Sequence, residues 1–164
     1  MKRRYSVVSI AMLYAFTLSA FGQTMIKEPR LSEIKQSGWY AVYIASDQQF
    51  AIDIDSVQRK GNVITVWEKI TYLSEKQRQK TIDEILNTPY PGVIQPNAYS
   101  EWKALNHVMN RIAFDCDNAS TMILAVVYYN DEGKALDSVV NRTPIWHPII
   151  PETLGMKLHR FICH

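Results

Sequence analysis

The amino-acid sequence predicts an α+β fold: an antiparallel sheet of about six strands, with a C-terminal helix packed on it and one disulfide as a staple. Three observations support this prediction. Segments rich in β-branched and aromatic residues, separated by turn residues, recur between residues 39 and 140. Residues 152–163 carry an apolar stripe at helical spacing. The chain has two cysteines, Cys116 within the central strands and Cys163 beside the C-terminus.

The first segment of the chain has the pattern of a secretory signal peptide. A basic start precedes an apolar run over residues 7–21, and the small residues Ala20 and Gly22 suit cleavage after Gly22. We therefore expect residues 1–22 to be removed and the protein to be exported to the periplasm, the cell surface or the medium. An uncleaved membrane anchor is the alternative, but the run is shorter than the roughly 20 residues that span a bilayer. We expect no transmembrane segment after cleavage.

The charge of the mature chain argues against nucleic-acid binding. The whole chain has 18 basic and 16 acidic residues, and the predicted signal peptide holds three of the basic ones. The remaining 15 against 16 create no global positive field that would attract nucleic acid or an anionic membrane. The 142 residues after position 22 are enough for one domain with a core of its own.

An even number of cysteines in an exported chain favours a disulfide. A bond between Cys116 and Cys163 would close a loop of roughly 48 residues, which on the chain-entropy model stabilises the fold by about 4 kcal/mol at most. The alternatives are two free thiols or one reactive thiol. No Cys-X-X-Cys motif or Cys–His pair lies nearby to support a reactive thiol.

The mature chain begins with a polar leader, residues 23–38, followed by a first predicted strand over residues 39–44. A third strand is predicted over residues 63–72, because this segment is rich in β-branched and aromatic residues. Gly61 offers the positive φ that a tight turn before this strand requires. We therefore expect the second and third strands to form a hairpin.

The second predicted strand, residues 50–57, has a polar face with two carboxylates. Asp53 and Asp55 alternate with Ile52 and Ile54, which is typical of a half-buried antiparallel strand. A carboxylate pair could serve acid–base catalysis or bind Ca²⁺, but no further oxygen ligands follow at regular spacing. A solvated strand face is the simpler interpretation.

Residues 73–103 depart from the strand pattern and form a predicted excursion from the sheet. The residues from Ser74 to Gln77 have the form of a helix-capping box, and prolines after residue 88 then impose an irregular path. Long loops inside compact domains are often functional. We therefore predict an interaction surface here, made of three basic and three aromatic residues: Lys76, Arg78, Lys80, Tyr90, Tyr99 and Trp102. The alternative for the basic residues is a solvated helix face.

Three more strands and the closing helix are predicted after the excursion. The strands cover residues 107–116, 121–129 and 135–140, with turns at residues 117–120 and 130–134. Residues 102–112 also fit helical spacing, which leaves a helix as the alternative for the start of the first of these strands. The closing helix is predicted over residues 152–163, because Pro151 suits a helix start and four apolar residues form one stripe. These four residues are Leu154, Leu158, Phe161 and Ile162.

No catalytic or metal-binding constellation is visible in the sequence. The four histidines lack the spacing of a zinc site, and the chain has neither a glycine-rich phosphate loop nor a nucleophile elbow. We therefore expect no catalysis, no metal and no cofactor; a hydrolase is the alternative. The histidines are His107, His147, His159 and His164.

Several short motifs follow one another along the chain, at residues 52–57, 61–67, 114–116, 128–129 with Gly133, 146–151 and 161–163. In this order they resemble the surface-adhesin protein E family of bacterial envelope proteins. The resemblance implies a single domain over residues 39–164, with a mostly antiparallel sheet and a C-terminal helix held by a disulfide between Cys116 and Cys163. It also implies an exported protein without enzymatic activity.

The resemblance further implies an adhesin-like module that binds proteins, for example host extracellular-matrix proteins. The second hypothesis is a periplasmic module that binds a small ligand or inhibits another envelope protein, since no lipid-anchoring cysteine follows the predicted cleavage site. A long exposed edge strand would in addition allow a homodimer.

Overall fold

The computed structural model describes residues 30–45, 47–87 and 98–164. Among these residues one sheet forms from eight strands: β1 (Trp39–Ala45), β2 (Gln48–Asp53), β3 (Gln58–Lys60), β4 (Val63–Tyr72), β5 (Leu105–Asp115), β6 (Ser120–Asn130), β7 (Ala135–Val140) and β8 (His147–Pro148). The helices are α1 (Glu75–Asn87), α2 (Ala98–Trp102) and α3 (Leu154–Cys163). The predicted α+β class is confirmed. The predicted signal peptide lies outside the described residues.

The sheet is antiparallel throughout, and its main path runs β1-β2-β4-β5-β6-β7. The two short strands lie off this path, where β3 pairs with β4 and β8 pairs with β6. Because successive long strands are neighbours, β1 and β7 form the two edges. The excursion leaves the sheet after β4 and returns to pair β5 directly with it.

The second strand is shorter than predicted. β2 ends at Asp53, and a 3-10 helix occupies Ile54–Ser56. The Asp53 carboxylate accepts a hydrogen bond from the Asp55 backbone N–H, and the Ser56 hydroxyl donates to the Asp53 carbonyl. These local bonds replace the ladder, so the prediction of a continuous strand over residues 50–57 was wrong. The predicted hairpin between the second and third predicted strands is present, and the third predicted strand corresponds to β4. The hairpin is interrupted, because β2 and β3 pair with different parts of β4.

The closing helix begins two residues later than predicted. Glu152 has a φ of 64°, which is incompatible with a right-handed helix, and Thr153 is the N-cap. The Thr153 hydroxyl accepts a hydrogen bond from the Met156 backbone N–H. The helix ends at Cys163, whose disulfide to Cys116 joins α3 to the end of β5 with a Cα–Cα distance of 5.5 Å. The predicted disulfide is confirmed.

All three α-helices of the described residues pack on one face of the sheet, over two apolar clusters. α3 covers the C-terminal cluster, which contains Ile52, Ile64, Val66, Ile112, Phe114, Ile149, Leu158, Phe161 and Ile162. Residues of α1 and α2 contribute to the second cluster, which contains Ile82, Trp102, Leu105 and Val108. Part of the predicted leader also contributes, since Leu31 and Ile34 pack against the C-terminal cluster.

Candidate functional site

The basic residues of the predicted interaction surface lie on α1. Ser74 caps this helix, because its hydroxyl accepts the Gln77 backbone N–H at 3.3 Å. The Arg78 guanidinium pairs with Glu75 and donates to the Lys103 carbonyl at 2.6 Å. It also donates to the Leu105 carbonyl at 3.3 Å. Arg78 therefore ties the start of α1 to the start of β5, and its charge is engaged within the fold.

The rest of the polar side of α1 has mixed charge. Lys80 lies 3.8 Å from Glu84 in an exposed ion pair, while Lys76 is exposed. Both lysines line a depression of about 500 Å³ whose other lining residues are Gln79, Asp83, Glu84 and Asn87. Because two carboxylates lie among the two lysines, this surface offers no concentrated positive charge.

The three predicted aromatic contacts have different positions. Trp102 is only 7% exposed and packs edge-to-face on Tyr128, with ring centroids 5.0 Å apart. It anchors the excursion to the sheet and is a core residue rather than a surface contact. Tyr99 lies in α2, and Tyr90 lies outside the described residues.

The face of the sheet opposite the helices is open in the described part of the chain. In β4, Ile64, Val66, Glu68 and Ile70 are buried, and the residues between them are partly exposed on the other side. In an antiparallel sheet, residues paired directly across two strands point to the same face. The register of β4, β5 and β6 therefore defines what the open face presents.

Nine residues form three rows across the centre of this face, and we call them the open-face grid. Trp67 pairs with Arg111 and Arg111 with Ala125; Lys69 pairs with Met109 and Met109 with Val127; Thr71 pairs with His107 and His107 with Tyr129. All nine residues are partly exposed. The grid thus combines two aromatic side chains and a methionine with two permanent cations and a histidine.

The cations of the open-face grid have no carboxylate partner in the described chain, where the ion pairs are Arg78–Glu75 and Lys80–Glu84. The Lys69 ammonium lies 4.4 Å from the centroid of the Trp39 ring, which β1 contributes to the same face. His107 stacks on Tyr129 with centroids 5.0 Å apart. Burial and then the charge of Lys69 lower the pKa of His107, which favours its neutral form.

A buried polar pair lies on the covered face, directly behind the open-face grid. Glu68 is 2% exposed, and its Oε2 accepts a hydrogen bond from Asn110 Nδ2 at 2.9 Å. Burial raises the pKa of Glu68 to about 7, while the hydrogen bond from Asn110 opposes the rise. Glu68 and Asn110 belong to neither apolar cluster.

The other candidate site residues do not converge on a reactive centre. Asp53 serves the 3-10 helix after β2, and the Asp55 carboxylate accepts the Gly38 backbone N–H at 2.8 Å. The part of the chain that the structure describes contains no group of three or more His, Cys, Asp or Glu residues that could hold a metal ion.

The open-face grid was missed from the sequence, although part of its signal was visible. Alternating buried positions in β4 leave Trp67 and Lys69 on the opposite face, as period-two patterning predicts. The sequence did not show that every described α-helix would pack on the other side. The pairing of Trp67 with Arg111 depends on the register between β4 and β5, which joins residues 44 positions apart.

The architecture defines a class: an α+β domain with helices on one sheet face, a disulfide at the end of its C-terminal helix and an open opposite face. Residues 39–164 match the family described as surface-adhesin protein E, and the chain belongs to this family. The family predicted from the sequence motifs is therefore confirmed. No helix in the described ranges combines the length and apolarity needed to cross a membrane.

Several solved structures are similar to this chain. Crystal form II of Haemophilus influenzae protein E has 13% identity and a TM-score of 0.49, with coverage of 78% of this chain and 88% of that chain. A further structure of Haemophilus influenzae protein E has 13% identity and a TM-score of 0.48, with coverage of 82% and 89%. Protein E from non-typeable Haemophilus influenzae has 13% identity and a TM-score of 0.45, with coverage of 78% and 76%. No curated protein matches the chain.

Proposed function

We propose that this protein is exported to the bacterial envelope and acts there as an adhesin-like, non-catalytic module that binds proteins, with host extracellular-matrix proteins as its partners. Membership of the surface-adhesin protein E family supports export and adhesion. The observation that carries the proposal is the open-face grid, a partly exposed surface over three central strands.

The composition of the open-face grid supports protein binding. Aromatic residues, Met and Arg are enriched at protein interfaces, and Trp, Tyr and Arg dominate binding hot spots. Trp67, Met109, Arg111 and Tyr129 belong to these residue types and lie in adjacent rows. A surface on rigid strands also loses less conformational entropy on binding than a loop would.

The positions of the carboxylates support a non-catalytic role. Asp53 and Asp55 satisfy backbone N–H groups at turns, and Glu68 is buried beneath the helices with Asn110 as its partner. A catalytic acid or base must reach a substrate. The hydrogen bonds of Asp53 and Asp55 to the backbone and the burial of Glu68 support a structural role for these three carboxylates.

The edges of the sheet support a homodimer as an additional form of association. Ile44 in β1 is 62% exposed and Val140 in β7 is 71% exposed, and both strands lack a second neighbour among the described residues. Exposed edge strands are templates for pairing with another chain. Light scattering of the purified mature domain would give its mass in solution, and a purely monomeric mass at high concentration would exclude this form.

The test uses the mature chain, residues 23–164, and a panel of purified host extracellular-matrix proteins immobilised for interferometry. We expect saturable binding to at least one matrix protein. Protease treatment of intact cells should in parallel degrade the protein, because an adhesin must be accessible from outside. Absence of binding to the whole panel together with protection from protease would contradict the proposal and favour a periplasmic module.

A further inference from the structure

We propose that the open-face grid binds an acidic, apolar-flanked segment of a protein partner, with Lys69 and Arg111 pairing with its carboxylates. This inference rests on the proposed function and specifies the chemistry of the partner. It starts from the arrangement of charge on the sheet. Lys69 and Arg111 are diagonal neighbours, since Arg111 is opposite Trp67 and Lys69 is opposite Met109.

Both cations are available to a negatively charged partner. The Lys69 ammonium lies over the Trp39 ring of β1, on the side of β4 away from Arg111. Diagonal cross-strand neighbours have backbones roughly 7–8 Å apart, so one extended partner segment can reach both side chains. Carboxylates of the partner would supply the counter-charge that neither cation has among the described residues.

The nine residues of the open-face grid include no Asp or Glu. Asp53 lies at the margin of the same face, opposite Trp39, and its carboxylate accepts the Asp55 backbone N–H. Asp55 accepts the Gly38 backbone N–H. Asp115, at the far end of β5, accepts hydrogen bonds from Asn62 and Asn118 at 2.8 Å each. These hydrogen bonds lower the pKa of Asp115, with the bond from the Asn118 side chain as the largest contribution. The carboxylates of this region are therefore engaged in turns, and the centre of the face remains positive.

The aromatic residues define what must flank the acidic groups of the partner. The Trp39 ring holds the Lys69 ammonium at the surface through a cation–π contact. Trp67 lies directly opposite Arg111, and Tyr129 is stacked against His107. A partner that placed carboxylates on the cations would cover these rings with its neighbouring side chains, which favours apolar residues beside the acids.

The low density of positive charge on the open-face grid favours a protein, rather than a highly charged polysaccharide, as its binding partner. Only two of the nine grid positions carry a permanent positive charge, while Trp67, Met109, Ala125, Val127 and Tyr129 are apolar or aromatic. A polyanion is bound mainly through many cations and counterion release. A protein segment that combines a few acids with apolar residues matches the grid more closely.

The experiment compares two double variants with equal net charge. Lys69→Gln with Arg111→Gln removes two cations from the open face, and Lys76→Gln with Lys80→Gln removes two from α1. The probes are an array of twelve-residue synthetic peptides of acidic–apolar, basic–apolar and neutral composition, and heparin. Thermal unfolding of each variant checks that the fold is retained. Amide chemical-shift mapping on the isotope-labelled mature domain locates the bound peptide.

We expect wild-type protein to select acidic–apolar peptides, with shifts in β4, β5 and β6. The open-face variant should lose roughly tenfold or more in affinity, equivalent to about 1.4 kcal/mol or more. The α1 variant should stay within about twofold. Equal loss in both variants, shifts confined to another surface, absence of peptide binding, or binding of heparin alone would each overturn the inference.

The outcome separates this inference from the proposed function. If a matrix protein binds the open-face variant as tightly as it binds wild type, adhesion stands and the open-face assignment fails. If acidic–apolar peptides bind the open face while no matrix protein binds the mature domain, the surface assignment stands and the matrix partner fails.

Discussion

The two faces of the central strands differ in the partners that their charged side chains have. Glu68 and Lys69 are consecutive in β4, and Asn110 and Arg111 are consecutive in β5. Glu68 and Asn110 point to the covered face, where they bond to each other at 2.9 Å. Lys69 and Arg111 point to the open face, where Lys69 is held by an aromatic ring and neither has a carboxylate partner among the described residues. In these two strands, the buried polar side chains are therefore paired with each other, whereas the exposed cations have no carboxylate partner.

The covered face is itself divided by the way its helices are attached. α3 is joined covalently to the end of β5, and its cluster contains most of the large buried side chains. The excursion is held by a smaller cluster and by Arg78, which bonds to the carbonyls of Lys103 and Leu105. We therefore expect that the packing of the second cluster and the disulfide contribute separately to the free energy of unfolding.

The largest expected difference between the faces comes from replacing one tryptophan on each. Trp102→Ala should destabilise the mature domain by about 3–5 kcal/mol, because it leaves a cavity in the second cluster. Trp67→Ala on the open face should cost only about 1–2 kcal/mol, since its side chain is partly exposed. Denaturant unfolding of both variants measures the two losses. Equal losses would contradict the distinction between a covered and an open face.

The next effect concerns the covalent tie of α3. Replacing Cys116 and Cys163 together by Ser should lower the free energy of unfolding by about 4 kcal/mol at most, because the unfolded chain regains loop entropy. Chemical denaturation of the double variant under non-reducing conditions measures the loss. Wild-type protein with a reducing agent is the matched control and should show a similar loss. A double variant as stable as oxidised wild type would show that the disulfide contributes nothing to folding.

The smallest of the three effects is the pH dependence that Glu68 introduces on the covered face. Burial raises its pKa from 4.5 to about 7, so the folded protein holds this proton more tightly than the unfolded chain. The protonated Glu68 stabilises the folded protein in full below about pH 4.5, and this stabilisation is lost as the pH rises through about 7. The loss amounts to about 3 kcal/mol at most. Glu68→Gln should remove this loss and keep an amide beside Asn110. Stability measured from pH 5 to pH 8 tests this, and parallel curves for both proteins would contradict it.

Much of the fold could be predicted from local patterns. The strand at residues 63–72 agrees with β4, because its alternation and turn residues are properties of adjacent positions. The closing helix was found from the stripe of Leu154, Leu158 and Phe161, although the positive φ of Glu152 moved its start. The second strand was overextended, because hydrogen bonds at Asp53 and Ser56 compete with strand pairing. Alternation alone does not report that competition.

The interaction surface was harder to predict, because it depends on distant residues. Trp102 was expected at the surface since it follows a segment rich in prolines, yet its ring is buried against Tyr128. The buried pair of Glu68 and Asn110 was not predicted, because only the register between β4 and β5 brings these two residues together. Arg78 was expected to face a partner. It instead donates hydrogen bonds to the carbonyls of Lys103 and Leu105, which only the tertiary structure brings close to it.

Local patterns and motif order were sufficient to predict the strands, the C-terminal amphipathic helix and the family, because these depend on neighbouring residues. The face of the sheet that the helices cover becomes visible only in the folded chain. Period-two alternation makes two faces but does not state which one meets the helices. That choice buries Glu68 with Asn110 and leaves Lys69 and Arg111 exposed among aromatic rings.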